Sequence, residues 1–395
     1  TTAIALLVTA AAIYAAEYAP GQLYIKFKSG SEPVESLGKL TGHPGIDALL
    51  QEAGVEHRRQ LVKNLRHQDP RGLRRVHKFL ISEKADIELL IQRLNELPQV
   101  EYADGAIVRY TDQYSKQPPK SGGGRFIDHV PNDPFYPLQW GMESIHAPAA
   151  WDITRGSSRT VIAIVDNGVD WDHPDLEDRI FRNIDENING ADSDGNGYID
   201  DIRGWDFVGQ DNDPSVDDDA GVVSGIFHGT HVAGIAAATM DNLRGVAGVA
   251  PECTIMPLKA GSGYVITQGA EAIIYAYEND AKVINCSWGG SQAASPLEED
   301  AVISAFQAGA LVVAAAGNEN VQGAHFPASY HGVLGVASIK QDNTKADSNY
   351  DTWVDVSAPG YYIYSTYVDD QGNPGYSYAQ GTSMACPMAA GLAAL

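Results

Sequence analysis

A carboxylate, two imidazoles and a hydroxyl stand in three short sequences whose composition suits acyl transfer. Asp166 closes the apolar run VIAIVD, His228 and His231 both lie in HGTHVAG, and Ser383 lies in GTSMACP ahead of a run of small residues. Opening an amide through a covalent intermediate requires a nucleophile, a base to take its proton and an acid to orient the base. A serine hydroxyl is inert until its proton leaves, and an imidazole titrates in the range needed to take it. A buried carboxylate fixes the imidazole tautomer and stabilises the imidazolium. A serine opening a helix also gains from backbone N–H groups that can face an oxyanion. Each signal alone has a plainer explanation: an Asp after a strand is an acceptor or cap, a His in a glycine-rich turn is structural, and a Ser before a helix is an N-cap. Together, in the order Asp, His, Ser, they predict a triad.

The blocks VDNGVD, HGTHVAG and GTSMACP, with a fourth, AAAGNE, resemble the signature blocks of the subtilisin-like serine proteases, whose chain order is the same. The similarity runs from Asp133 to Leu395. It implies a serine endopeptidase acting on polypeptides, with Asp166, His231 and Ser383 as its triad; of the two imidazoles, the resemblance is read as picking His231 and leaving His228 structural. It also implies that Asn318 donates its side-chain N–H to the oxyanion, where the residue-level alternative is an Asx-turn after a strand. Ser287, Trp288 and Gly289, after the strand INC, match the stretch that pairs with the peptide in that family. Gly261, Ser262 and Gly263 resemble the opposing strand, although Gly261 also fits a plain turn. Pairing of this kind reads backbone and implies broad specificity. Asn167 departs from the family pattern, in which Ser or Thr is commoner, and Cys286 and Cys386 stand where small or apolar residues are usual. The sequence ends 12 residues after Ser383, where the family continues; the resemblance implies a C-terminally truncated catalytic domain.

ADSDGNGYIDD places Asp192, Asp194 and Asn196 at alternating positions, with Gly197 for a sharp turn and the Tyr198 carbonyl next in line. Hard oxygen ligands at this spacing suit Ca²⁺. The closing bidentate Glu of an EF-hand is absent, so Asp200 or Asp201 is expected to complete a structural calcium site; the alternative is a solvated acidic turn.

The elements that must position these groups are legible as apolar runs. Thr160–Asp166, Thr254–Ala260, Ala281–Trp288 and Ala310–Asn318 read as buried strands, and His231–Met240, Gln268–Glu278 and Pro296–Gln307 read as helices between them. That alternation predicts an α/β fold, a doubly wound parallel sheet with the site at the strands' carboxyl ends. A smaller unit precedes it. Gln22–Lys28, Val76–Ser82 and Gln99–Tyr110 read as strands, and Ile46–Gln51 and Asp86–Leu97 as helices, the latter capped by Asp86. This order suggests an α+β, ferredoxin-like sandwich. Its first and last strands resemble a subtilisin-type propeptide, which implies an inhibitor and folding chaperone at 17–110. Polar, Pro- and Gly-rich residues at 111–132 read as a linker with the processing site, and 133–395 as the catalytic domain.

Bulk properties bound the reading. The 395 residues carry a formal net charge of −24, which disfavours nucleic acid and anionic membranes as partners. The charge is uneven: 17 Lys and Arg against 15 Asp and Glu up to Val130 leave 10 against 36 beyond it. A net of +2 facing −26 predicts two units that attract each other. Three cysteines without metal-type spacing read as buried free thiols. The apolar opening, ending in small residues, reads as the remnant of a signal peptide at 1–16, with a membrane-spanning helix as the rival; at about 16 residues it is short of the roughly 20 that a span needs. The combined expectation is a secreted, extracellular, monomeric zymogen that processes itself. A non-catalytic, calcium-dependent binding protein of the same fold is the alternative, and the absence of a G-x-S-x-G elbow speaks against an esterase.

Overall fold

The computed structural model describes residues 16–111, 129–216, 225–291 and 293–395. The signal-peptide reading, apart from Ala16, and most of the linker with its processing site lie outside the described residues.

The N-terminal unit runs β1 (Tyr18–Phe27), α1 (Pro44–Glu52), β2 (His57–Gln60), β3 (Val76–Leu80), α2 (Ile87–Asn95) and β4 (Val100–Ile107). Its strands form an antiparallel sheet in the order β2-β3-β1-β4, the connectivity of a ferredoxin-like sandwich. Strand alternation explains its two faces. Leu23, Ile25 and Phe27 of β1 bury against Ile46, Leu50, Leu90 and Leu94 of the unit's own helices. Tyr24, between them, points the other way, into the core of the larger unit. Asp86 caps α2 as expected, accepting from the Leu89 N–H at 3.1 Å. β2, with the sequence HRRQ, has no apolar signal and was not expected as a strand. A further short strand, β5 (Arg109–Thr111), leaves this unit.

The larger unit comprises short helices α3 (Trp140–Ser144) and α4 (Ala147–Trp151), then β6 (Val161–Asp166), β7 (Trp205–Asp206), α5 (His228–Ala237), β8 (Thr254–Lys259), β9 (Gly261–Ser262), β10 (Val265–Ile266), α6 (Gly269–Glu278), β11 (Val283–Cys286), β12 (Trp288–Gly289), α7 (Pro296–Gln307), β13 (Leu311–Ala315), β14 (Val333–Ile339), β15 (Val356–Pro359), β16 (Ile363–Val368), β17 (Pro374–Ala379) and α8 (Thr382–Ala394). Seven strands form a parallel sheet in the order β15-β14-β13-β11-β6-β8-β7. Both faces are covered, so β6 is buried at every position: Val161, Ala163 and Val165 join the layer of α6 and α7, while Ile162 and Ile164 join that of α5 and α8. Burying each large aliphatic chain contributes about 1.5–3 kcal/mol, which holds the central strand and hence its last residue, Asp166, in place. The doubly wound parallel sheet expected from the alternation is present.

The N-terminal sheet lies on α6 and α7. Lys26 meets Asp300 at 2.7 Å, Lys78 meets Glu271 at 2.5 Å and Arg59 also pairs with Glu271. The attraction expected from +2 facing −26 is therefore concentrated in a few buried pairs. Cys253, Cys286 and Cys386 are buried free thiols.

Candidate active site

β6 ends between β8 and β11, at the carboxyl edge where open α/β sheets hold ligands. Asp166 is fully buried there. Its Oδ1 accepts from the Asn167 N–H at 2.9 Å and from His228 Nδ1 at 2.8 Å, and its Oδ2 has no partner among the described residues. An ionised carboxylate only accepts, so the proton of the His228 ring belongs on Nδ1, and Nε2 is left with a free lone pair. That Nε2 is buried and has no partner among the described residues. Close packing brings the ring in: a Cβ on Gly229 would stand 2.1 Å from the Gly168 carbonyl oxygen and 3.0 Å from the Asp166 Cβ. Only glycine lets α5 approach β6 this closely.

His231, the imidazole expected to be the base, does not meet Asp166. The helix opens at His228 rather than at His231, and three residues further is nearly a full turn, about 4.5 Å along the axis. There His231 lies fully buried, its Nε2–H donating to the Ser377 carbonyl of β17 at 3.1 Å, its ring nearly perpendicular to that of Phe227. Burial lowers its pKa to about 3, which keeps it neutral. His231 is thus a core residue that ties α5 to the β16–β17 hairpin.

Ser383 is the second residue of α8 and is fully buried. Its hydroxyl donates to the Ser287 carbonyl at 2.6 Å, and the Ser287 hydroxyl returns a bond to the Ser383 carbonyl at 2.8 Å. Asn318 follows β13, and its Oδ1 accepts from the Thr382 N–H at 2.9 Å, so its amide is clamped beside the start of α8 rather than closing an Asx-turn. Its Nδ2 is a buried donor with no partner among the described residues. A buried amide costs free energy until it finds an acceptor, and an oxyanion is one. Asn167 has a role its type alone did not reveal: Nδ2 donates to the carbonyls of Gly225 and Gly263, both at 2.7 Å, and Oδ1 accepts from the Gly229 N–H at 3.0 Å. It fastens three segments around Asp166.

β5 lies between two strands of the larger unit. It pairs antiparallel with β12 on one side, Thr111 opposite Trp288 and Tyr110 opposite Gly289, and with β10 on the other, Tyr110 opposite Val265 and Arg109 opposite Ile266. Trp288 and Gly289, which the family resemblance assigns to peptide pairing, flank this strand of the chain itself. Gly261, Ser262 and Gly263 do not: Gly261 and Ser262 form β9, one strand further out, paired with β10. A Cβ on Gly261 would sit 2.0 Å from the Val265 carbonyl oxygen, so this glycine serves the β9–β10 turn. Beyond Thr111, a cleft of about 500 Å³ continues past Tyr264, Asn318 and Gly381.

In the acidic loop, Glu186, Asp192 and Asp194 bring their oxygens within 4.8 Å of one another. The Asp192 Oδ1 is buried and has no partner among the described residues. The other residues of the expected set make further contacts in this loop. Asp200 turns away to accept from the N–H groups of Asn189 and Gly190, at 2.8 and 3.0 Å. Asp201 accepts from the Tyr275 hydroxyl at 2.6 Å and from Asn196 at 2.9 Å, and burial raises its pKa to about 7. Asn196 spends its Oδ1 on the Tyr198 N–H at 2.7 Å, and the Tyr198 ring packs against Trp205 and Tyr275. Glu186 lies upstream of the motif, and only the folded loop brings it in.

Comparison with known proteins agrees with this architecture. Residues 157–395 match the subtilase family. The thermophilic serine proteinase of Bacillus sp. strain AK1 is 38% identical over 324 residues, which are 80% of this chain and 68% of that protein. Thermitase from Thermoactinomyces vulgaris is 41% identical over 273 residues, 68% of this chain and 85% of its own. The crystal structure of fervidolysin from Fervidobacterium pennivorans, a keratinolytic enzyme related to subtilisin, superposes with a TM-score of 0.70 over 97% of this chain and 56% of that one, at 24% identity; it is a likeness of fold alone. Among the described residues, no helix is long and apolar enough to cross a membrane.

Proposed function

The chain belongs to the subtilase family of serine proteases, and from that premise we propose that it is an endopeptidase that works through an acyl-enzyme on Ser383, with His228 as the base, Asp166 as its orienting acid and Asn318 as oxyanion donor. The observation that carries this reading is the 2.8 Å contact between His228 Nδ1 and Asp166 Oδ1, which leaves a buried Nε2 lone pair beside the sheet's carboxyl edge. As Ser383 Oγ attacks the scissile carbonyl carbon, its proton passes to His228 Nε2, and the new oxyanion takes the free N–H of Asn318. The C–N bond then breaks, and the same proton goes to the departing amine. Water repeats the sequence to release the acid.

The N-terminal unit, residues 17–110, is read as the propeptide of a zymogen that cuts itself within 111–132, leaving 133–395 as the protease. Support comes from β5, which pairs with β12 on one side and β10 on the other, the way a bound peptide would pair on this reading. Structural calcium at Glu186, Asp192 and Asp194 belongs to the same proposal, as do secretion, favoured by the apolar run at 1–16, and action as a monomer. Ca²⁺ would supply charge balance in that loop and takes no part in the bond chemistry. Ser383→Ala tests the whole: the variant is expected to hydrolyse no casein and to remain a full-length band, while the unaltered protein gives two pieces. Self-cleavage of the purified variant would overturn the proposal.

A further inference from the structure

The backbone of β5 explains why a peptide lies in the cleft, but one of its side chains meets a pocket made for a particular charge. Burial alternates along this strand: Arg109 and Thr111 are buried and Tyr110 is exposed. Arg109, 1% exposed, is among the largest fully buried side chains of the molecule. Its guanidinium meets Glu298 at two points, Nη2 to Oε2 at 2.8 Å and Nε to Oε1 at 3.3 Å. Nη2 also reaches the Ala293 carbonyl at 3.4 Å, and the Phe326 ring lies 5.8 Å away. Glu298 stands in the first turn of α7, on the protease side, and is itself 1% exposed. Among the described residues, Arg109 is the cation paired with it.

A carboxylate removed from water needs a cation or it is strongly disfavoured. When β5 leaves the cleft, Glu298 loses that cation, and the peptide that enters must supply another. The planar fork favours arginine over lysine, because two parallel N–H groups match the two carboxylate oxygens and the flat cation can lie against Phe326. A neutral or acidic side chain at the same place would bury the charge of Glu298 unpaired.

We propose that Glu298 makes this pocket a subsite for arginine, so that the enzyme prefers polypeptides bearing Arg two residues before the one opposite Trp288. The inference rests on the reading of β5 as a substrate-like strand of a protease. It narrows the broad specificity that backbone pairing alone implies.

The enzyme obtained by expressing the full chain is given two quenched fluorescent peptides that copy residues 105–116, one unaltered and one with Arg109→Met, and the cleaved bond is read by mass spectrometry. The Met peptide is expected to show kcat/KM lower by at least about tenfold, as befits loss of a desolvated charge pair. Enzyme with Glu298→Gln is expected to cut the two peptides within about threefold of each other, because no buried charge then discriminates. The peptide comparison uses unaltered enzyme, so it holds even where the variant does not fold. Equal rates on both peptides, with casein still hydrolysed, overturn the arginine subsite alone. No hydrolysis of casein or of either peptide overturns the protease reading beneath it.

Discussion

His228 opens α5 and His231 lies nearly a turn further on, and on the proposed mechanism that spacing separates chemistry from packing. His228→Ala removes the base and is expected to lower kcat on casein about 10⁶-fold, the scale seen when a triad imidazole is lost, with little change in the thermal midpoint. His231→Phe removes a bond to Ser377 inside a close-packed layer; it is expected to cost about 1–3 kcal/mol of stability while the folded fraction retains kcat. Measured kcat and melting curves on the two variants check the assignment, and the reverse pattern would restore His231. On the proposed mechanism Asn318→Ala removes a donor whose acceptor arises during the reaction, so kcat is expected to fall about 10²–10³-fold with KM nearly unchanged; a rise in KM alone would make Asn318 a binding residue instead. At this scale the sequence was informative about residue types. Asp166 and Ser383 each lie at the end of an element, and the apolar run before one and the small residues after the other announce it. HGTHVAG presents two equivalent imidazoles, and the choice depends on which of them the helix turns toward Asp166. The signal that was available is Gly229, next to His228, since a glycine at a helix start marks a close approach.

The elements that were read correctly are those with a strong period. β6, β8, β11 and β13 are continuous apolar runs because both faces of a parallel sheet are covered. β2 and β5 were missed as separate strands because each draws its order from a neighbour: HRRQ pairs with β3, and Arg109–Thr111 is held between β10 and β12. The β16–β17 hairpin, which receives the His231 ring, gave no clear signal either, since its tyrosines are only half-buried and its buried Ser365 and Thr366 are polar. The seam between the N-terminal sheet and α6 carries its own prediction. Burial pushes the Glu271 carboxyl up, but Arg59 and Lys78 outweigh burial and hold its pKa at about 2, below the usual 4.5. A carboxyl with a depressed pKa favours the docked state above its ordinary pKa and loses that contribution as pH falls through the depressed one. Glu271 is therefore expected to hold the N-terminal unit fully above about pH 4.5 and to release it progressively toward pH 2. Asp104, which burial raises to about 6, acts in the opposite sense, its contribution being lost as pH rises through that value. The Glu271 part is isolated by difference. Dissociation of the cleaved N-terminal unit, followed by gel filtration in a Ser383→Ala background cut by an added protease, should depend on pH between 2 and 4.5 in the parent and much less in Glu271→Gln. Identical profiles would remove Glu271 from the docking balance.

Over the whole molecule, the charge imbalance of +2 against −26 resolves into two arrangements. One is the buried seam, where Asp300, Glu271 and Glu298 each receive a cation from the N-terminal side. The other is the loop at Glu186, Asp192 and Asp194, where three carboxylates converge and, among the described residues, the only basic side chain in their ion pairs is the half-exposed Arg66, 3.4 Å from Asp194. Like charges held this close repel unless a cation lies among them, and the Glu186 oxygens, already accepting from Ser193, Asp194 and Asp200 N–H groups, fix the loop so that the repulsion is not relieved by moving apart. Ca²⁺ bound by the folded chain and not by the unfolded one adds stability by mass action, about 2.7 kcal/mol at a hundredfold excess over Kd. For a unit of this size that corresponds to a rise in melting temperature of roughly 5–10 °C. Inactivation is read as a half-life at a fixed high temperature, since cleavage of unfolded copies makes melting irreversible. A chelator is expected to shorten that half-life severalfold, with the initial rate on a short peptide unchanged at 25 °C. Restoring Ca²⁺ should recover the loss, and Mg²⁺, which demands six near-ideal ligands and keeps its waters, should not. Asp192→Asn is expected to abolish the response, because it neutralises the carboxylate whose Oδ1 lacks a partner among the described residues. An unaltered half-life in chelator, with the loop intact by limited proteolysis, would return these three residues to a solvated acidic turn.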